Sequence, residues 1–173
     1  MRIRTGDVTA PLERSLLDDY FAFRNASFPP ADGDYAVRYP VASDFEQGNG
    51  VFLVVEDGGA GDGGWDGGVE DGGGEVRAVG CGGIRMLPTT SPGVVRFEVK
   101  HVWLGEEARG QGWATALMEE LEARAIALGA TELVLDTHHG LEGAARLYAR
   151  LGFDPVEPYN DNPNATRWYR KEL

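Results

Sequence analysis

The fold is decided by Arg109-Gly110-Gln111-Gly112-Trp113-Ala114, a stretch that lies between a predicted strand and a predicted helix. The first backbone N–H groups of a helix have no partner within the helix and lie at the positive end of its dipole. Glycines at this place let a pyrophosphate come close to the main chain. The stretch therefore predicts an anion site, but short glycine-containing turns before helices are common, so its surroundings must identify the function.

The sequence on either side of this stretch alternates between strand and helix patterns. Strands are predicted from Val94 to Leu104, from Thr131 to Thr137 and over 166–171, and helices from about Gly112 to Leu128 and from about Leu141 to Leu151. Such alternation indicates an α/β layer arrangement with right-handed crossovers.

The first fifty residues contain one helix and one irregular segment. Pro11 opens the helix, which has an apolar face and is expected to end near Asn25. Residues 27–50 are rich in proline and glycine and predict an irregular connection. Its aromatic anchors are Phe28, Tyr35, Tyr39 and Phe45. The segment could line a substrate cleft or could be a loop that its aromatic residues fix to the core.

Residues 56–75 interrupt the pattern between two predicted strands, Val51–Val55 and Val76–Ile84. Ten of these twenty residues are glycine, and seven are acidic with no lysine or arginine among them. Glycine loses much entropy on ordering and the like charges repel, so the segment predicts a mobile loop. No Lys-Ser/Thr pair or helix pattern follows the glycines, which disfavours a phosphate-binding loop.

Composition limits the class of protein. A chain of 173 residues, 42% hydrophobic, has apolar material for one core, so we expect a single domain over 1–173. Without a long apolar run or a signal-peptide pattern near Met1, we expect no membrane segment and a cytoplasmic protein. The lone Cys81 excludes an internal disulfide and a thiolate-rich zinc site. A net charge of −12 disfavours nucleic acid as a partner and permits a cationic substrate.

The chain resembles the GNAT acetyltransferase superfamily from Val51 to the C-terminus, with the glycine-rich loop as an insertion. Three signatures occur in the family's order, namely Glu98–Leu104, Arg109-x-x-Gly112-x-Ala114 and Ala145–Phe153. The segment Pro158–Pro163, with Trp168, looks like a bacterial branch of small GNAT enzymes.

This resemblance implies a mixed, mostly antiparallel central sheet with helices on both faces. It also implies that acetyl-CoA binds in the splay between two adjacent strands. The pantetheine would pair with the main chain near Val102, Trp103 and Leu104. The pyrophosphate would contact the loop and helix start formed by Arg109, Gly110, Gln111, Gly112, Trp113, Ala114 and Thr115. Trp113 is expected to pack into the protein.

Acetyl transfer to an amine needs a proton donor for the departing thiolate and an acceptor for the amine proton. By the resemblance, Tyr148 occupies the thiolate-protonating position; its alternative is a packed tyrosine with a satisfied hydroxyl. Glu98 could draw the amine proton through water; its alternative is a salt bridge with Lys100 or Arg85. His138 and His139 follow a predicted strand end and are weaker candidates for the base.

The chain departs from the family pattern at two positions. Leu141 stands where many members have asparagine, and His138 stands where the bacterial branch often has asparagine. Contacts made by those amides are therefore in doubt. Asp136, His138, His139 and Glu98 superficially suggest a metal site, but adjacent histidines on a strand point apart. We expect no metal.

The sequence therefore favours an acetyl-CoA-dependent N-acetyltransferase that moves an acetyl group to a primary amine of a small molecule in a ternary complex. The alternatives are a peptide or protein amine as the acceptor, and a non-catalytic acyl-CoA-binding or regulatory domain. A homodimer is common among similar proteins.

Overall fold

The structure is a computed structural model that describes residues 1–46, 48–58, 76–89 and 91–173. Its helices are α1 (Pro11–Ser27), α2 (Trp113–Ala127) and α3 (Glu142–Arg150). Its strands are β1 (Arg2–Thr5), β2 (Gly50–Asp57), β3 (Arg77–Leu87), β4 (Arg96–Leu104), β5 (Glu132–Thr137), β6 (Asp154–Val156) and β7 (Arg167–Glu172). The predicted elements are all present with boundaries shifted by one to three residues, whereas the sequence patterns did not predict the short strands β1 and β6.

The strands form one sheet in the order β1-β2-β3-β4-β5-β7-β6. Of the strand pairs that the structure describes, β4 and β5 alone run parallel, and α2 makes the crossover between them. The expected mixed, mostly antiparallel sheet is confirmed.

Helices cover both faces of this sheet. Successive side chains of a strand point to opposite faces. In β2, Phe52 and Val54 pack in one cluster with the buried face of α1, and Leu53 and Val55 pack in another with the buried face of α2. Each of the four β2 side chains is at most 1% exposed, so both faces of β2 contribute to the core.

Two irregularities shape the middle of the sheet. Strands β4 and β5 pair only from Arg96 to Glu98 of β4, although both strands continue beyond that point. On the other side of β4, two residues, His101 and Val102, lie opposite the single β3 residue Gly82. His101 has φ 56°, which is the backbone conformation expected of a bulge rather than of a regular strand. Strands β4 and β5 therefore separate toward the carboxyl end of β4.

The predicted glycine-rich loop begins later than its composition indicated. Glu56 and Asp57 belong to β2. Glu56 is buried, and its carboxylate accepts a hydrogen bond from Arg4 of β1 at 2.5 Å. The β2–β3 hairpin is paired up to Asp57 and Arg77. Residues 59–75, on which the prediction of a mobile loop mainly falls, lie outside the described residues. In the described part of the chain, no helix is long and apolar enough to cross a membrane.

Candidate active site

A cavity of about 700 Å³ opens where β4 and β5 separate. Its walls come from α1, the segment 35–45, the bulged part of β4, the end of β5, α3 and the segment 160–164. The splay supplies the space because two strands that no longer pair leave a gap in the sheet.

The irregular segment after α1 forms one wall of this cavity. Tyr39 packs edge-on against Phe21 of α1, with ring centroids 4.6 Å apart. The amide side chain of Asn164 donates to the Ala36 carbonyl and accepts from the Ala36 N–H, both at 2.8 Å. The segment therefore lines the cavity and is also fixed by its aromatic residues, so both roles considered from the sequence are present.

Tyr148, the predicted proton donor, lines the cavity from α3 and is 8% exposed. Its ring packs against Phe153 and Tyr169. Its hydroxyl makes no hydrogen bond with the described residues and is not among their buried unpaired polar atoms, so it is accessible from the cavity. Burial raises the pKa of this phenol to about 12, so the group keeps its proton at neutral pH.

Glu98, the predicted base, is fully buried behind the cavity wall and does not line the cavity. Its Oε2 accepts two hydrogen bonds from the Arg85 guanidinium, at 2.9 and 2.8 Å. Its Oε1 accepts from the Tyr159 hydroxyl at 3.0 Å and from the Asn160 amide at 3.1 Å, and it lies 3.4 Å from the Lys100 ammonium. The salt bridges that were the alternative for Glu98 are therefore both present. A role as base requires a water between this carboxylate and the amine.

Asp136 is a second carboxylate of the site and, unlike Glu98, lines the cavity. It accepts hydrogen bonds from Lys100 and from the side chains of Asn160 and Asn162, at 2.8 to 3.1 Å. Burial raises its pKa, but the Lys100 charge and these hydrogen bonds outweigh burial and leave the pKa lowered. Asp136 is therefore ionised at neutral pH. Asn160 and Asn162 lie in the segment Pro158–Pro163, and the sequence pattern assigned neither of them a role. Their spacing of two residues is the sequence feature from which two amides on one carboxylate could have been predicted.

The predicted phosphate loop lies at the start of α2. Gly110 and Gly112 have φ 75° and 79°, conformations that other residues rarely adopt, and Gly112 is the residue that precedes the helix. A Cβ at either glycine would meet no atom within 4 Å. The face above these amides is therefore open, and the helix-start N–H groups fit a pyrophosphate.

Val102, Trp103 and Leu104 lie in β4 beyond its last pair with β5. On that side, the main chain of these residues has no ladder partner among the described strands, so an extended group could pair with it. Val102 lines the cavity, and the other predicted cofactor residues do not.

The remaining predicted cofactor residues surround the helix start. The exposed Arg109 donates from Nε to the Leu104 carbonyl at 3.1 Å and stacks over Phe23 at 4.9 Å. Gln111 donates to the Glu107 carbonyl. Trp113 and Ala114 pack against the main core, as expected for Trp113, and Thr115 is half-buried within α2.

His101, at the bulge, was not singled out by the sequence. It lines the cavity, and its ring contacts Tyr20 and Phe21 edge-on. Its Nδ1 is buried with no partner among the described residues. Burial, with the charges of Lys100 and Arg85, lowers its pKa to about 3. His101 is therefore neutral.

The argument that His138 and His139 point apart is wrong. Both residues follow β5 in a turn rather than within a strand, and their ring centroids are 4.2 Å apart. With Asp32 they bring ligand-type atoms within 4.8 Å of one another. His138 Nδ1, however, accepts the Gly140 N–H at 3.1 Å, so the proton of the neutral ring lies on Nε2, which faces Asp32. Nε2 is buried and has no hydrogen-bond partner among the described residues, and a metal there would have to displace its proton. The expectation of no metal stays a prediction.

The cavity in the strand splay, the helix-start glycines and the unpaired edge of β4 form one candidate site. The model of the GNAT acetyltransferase family matches residues 16–153. The chain belongs to this family.

The chain is similar to a curated relative and shares its fold with two solved structures. An uncharacterised N-acetyltransferase of Schizosaccharomyces pombe is 36% identical over 86 residues, which are 50% of this chain and 50% of that protein. A GNAT acetyltransferase from Elizabethkingia anophelis with acetyl-CoA bound has a TM-score of 0.56 at 14% identity, covering 99% of this chain and 97% of that one. A chain of the NatC complex bound to Gag peptide and CoA has a TM-score of 0.63 at 17% identity, covering 99% and 98%. At these identities the solved structures show a shared fold.

Proposed function

We propose that this protein is an acetyl-CoA-dependent N-acetyltransferase that acetylates a primary amine of a small molecule by direct transfer in a ternary complex. The observation that carries the proposal is the position of Tyr148, which lines the cavity at the place where β4 and β5 separate.

The cofactor side of the site uses backbone atoms. The open amides at Gly110 and Gly112 would bind the pyrophosphate, and the unpaired edge of β4 near Val102 would bind the pantetheine. This arrangement directs the thioester along β4 toward the cavity. The acetyl-CoA that the Elizabethkingia structure holds is consistent with this use of the fold.

In the reaction, the amine nitrogen forms a bond to the acetyl carbon and the carbon–sulfur bond breaks. The amine loses a proton and the departing thiolate gains one. Tyr148 is suited to supply the second proton, since its raised pKa keeps the phenol protonated throughout the neutral range. A positioned general acid contributes about 10²- to 10⁴-fold to such a step.

Glu98 remains the candidate acceptor of the amine proton in this proposal. Because its carboxylate lies behind the wall formed by Asn160 and Lys100, the proton must travel through a bridging water. Asp136, ionised at the cavity surface, is already paired with Lys100 and the amides of Asn160 and Asn162, so it is not a free counter-ion for the amine.

The cavity favours a small acceptor over a peptide because the segment 35–45, fixed by Asn164, closes one side. A peptide amine is the second candidate, favoured by the fold shared with a chain of the peptide-bound NatC complex.

An amine panel tests the proposal. Purified protein, acetyl-CoA and single amines are assayed for release of free thiol. The only cysteine, Cys81, is fully buried and burial raises the pKa of its thiol, so the protein itself contributes little signal. We expect turnover with small primary amines that exceeds turnover with peptides. Binding of acetyl-CoA without turnover of any amine would support the non-catalytic alternative.

A further inference from the structure

One charge in the cavity wall has no counter-ion in the part of the chain that the structure describes. Arg24 lies in the last turn of α1, is 8% exposed and lines the cavity. Within the described ranges it has no salt bridge and no side-chain hydrogen bond, and its Nε is buried without a partner. Its guanidinium carbon lies 5.2 Å from the centroid of the Tyr35 ring.

The other charged groups of the wall differ from Arg24. Arg85 is paired with Glu98 and Asp44, and Lys100 is paired with Asp136. Arg38 and Asp161 are exposed to solvent. A buried charge without a partner is costly. The carbonyl end of α1 and the Tyr35 ring offset only part of this cost, because each of those interactions is weak compared with a desolvated ion pair. The site is therefore incomplete without an anion.

We propose that the acceptor is an amine that also carries a carboxylate, of the amino-acid class, and that Arg24 binds this carboxylate. The inference rests on the proposed function and names the class of its substrate. A guanidinium binds a carboxylate through two parallel N–H donors. The amine of the same small molecule would then react in the cavity that Tyr148 also lines.

Arg24 and Tyr148 line the same cavity, so a carboxylate bound by Arg24 would share that cavity with the proposed acid. The dominant effect on the pKa of Tyr148 is burial, which raises it, and the Arg24 charge acts against burial. A carboxylate that neutralises Arg24 would leave the Tyr148 phenol more firmly protonated when the acceptor is bound.

The test compares amino acids with their carboxamides, which keep the amine and remove the negative charge. Thiol release gives kcat/KM for each acid and its amide. We expect the wild-type protein to prefer the acid by at least tenfold, and Arg24→Met to lower this preference at least tenfold. Arg24→Lys should retain part of it. Arg14→Met is the matched control, because Arg14 lies on the same helix and stacks on Tyr39 but is exposed and does not line the cavity.

Stability and binding distinguish a binding role from a structural one. Removing an unpaired buried charge should leave Tm unchanged or raise it, so a large fall in Tm for Arg24→Met would overturn the proposal. Equal loss of kcat/KM for acid and amide, no preference for the acid in the wild type, or a change confined to the KM of acetyl-CoA would also overturn it.

Calorimetry with CoA and an N-acetylated amino acid gives a readout that needs no turnover. Tighter binding of that product than of its amide, lost in Arg24→Met, supports the inference even if no tested amine is acetylated. Equal binding of the two contradicts it.

Discussion

Glycine substitutions at the two ends of α2 distinguish two causes of weaker acetyl-CoA binding, namely loss of a phosphate contact and backbone strain. Gly112, before the helix, has φ 79°, and Gly129, just after it, has φ 85°. A Cβ at either position would meet nothing within 4 Å. Gly112→Glu and Gly129→Glu therefore carry the same kind of strain, about 1–2 kcal/mol for a non-glycine residue in the left-handed region.

Only the first of these variants should affect the cofactor. A glutamate at Gly112 adds bulk and negative charge where the helix-start amides would meet the pyrophosphate. We expect calorimetry to show acetyl-CoA affinity lowered at least tenfold in Gly112→Glu, about 1.4 kcal/mol, and unchanged in Gly129→Glu. Gly112→Ala should fall between them, which separates bulk from charge.

Two results would refute this reasoning. A folded Gly112→Glu that binds acetyl-CoA like the wild type would remove the phosphate site from the start of α2. Equal weakening in both variants would attribute the loss to general destabilisation.

Three further predictions concern the sheet bulge, the base and the loop. His101 has a pKa of about 3 when folded and about 6.5 when unfolded, so its contribution to stability is lost as pH falls below 6.5. On urea unfolding this residue should account for about 2 kcal/mol less stability at pH 5 than at pH 7, and His101→Asn should remove that part of the difference, while the lowered pKa of His138 contributes in both proteins. If Glu98 takes the amine proton, the loss of kcat/KM in Glu98→Gln should become smaller as pH rises, because more of the amine is then already neutral. A loss that is the same at every pH would mean that Glu98 only positions Arg85 and Asn160. Replacing residues 58–74 with a short turn should leave acetyl-CoA affinity unchanged and Tm equal or higher, because Asp57 and Arg77 are already paired. A lower Tm or weaker binding would show that the segment contributes to the fold.

Most of the fold was predictable because its signals are local. Apolar spacing predicted α1, and the strand and helix patterns after Val94 predicted α2, β5 and α3 to within a few residues. The short strands β1 and β6 were missed because each depends on pairing with a distant neighbour, as in the pairing of β1 with β2. Such pairing leaves little trace in four or three residues of sequence.

The site was less predictable than the fold because several of its features arise only in three dimensions. Nothing in the sequence around His101 indicates a left-handed residue within a strand. Arg24 reads as an ordinary cation at a helix end, and only burial beside Tyr35 distinguishes it. For the same reason, the turn after β5 brought His138 and His139 together where a strand would have separated them.

Two further expectations from the sequence stay predictions. Light scattering on the eluted protein tests whether it forms a homodimer. Fractionation of the source cells tests the cytoplasmic location.

The most direct test of the account is the kinetic effect of Tyr148→Phe. The substitution removes the hydroxyl and keeps the ring, so packing against Phe153 and Tyr169 is retained. With any accepted amine, we predict that kcat falls by about 10²-fold or more, while calorimetry shows acetyl-CoA affinity within twofold of the wild type. A fall in both kcat and kcat/KM of less than threefold in a folded variant would contradict the account, because Tyr148 would then be a packing residue and not the acid that protonates the departing thiolate.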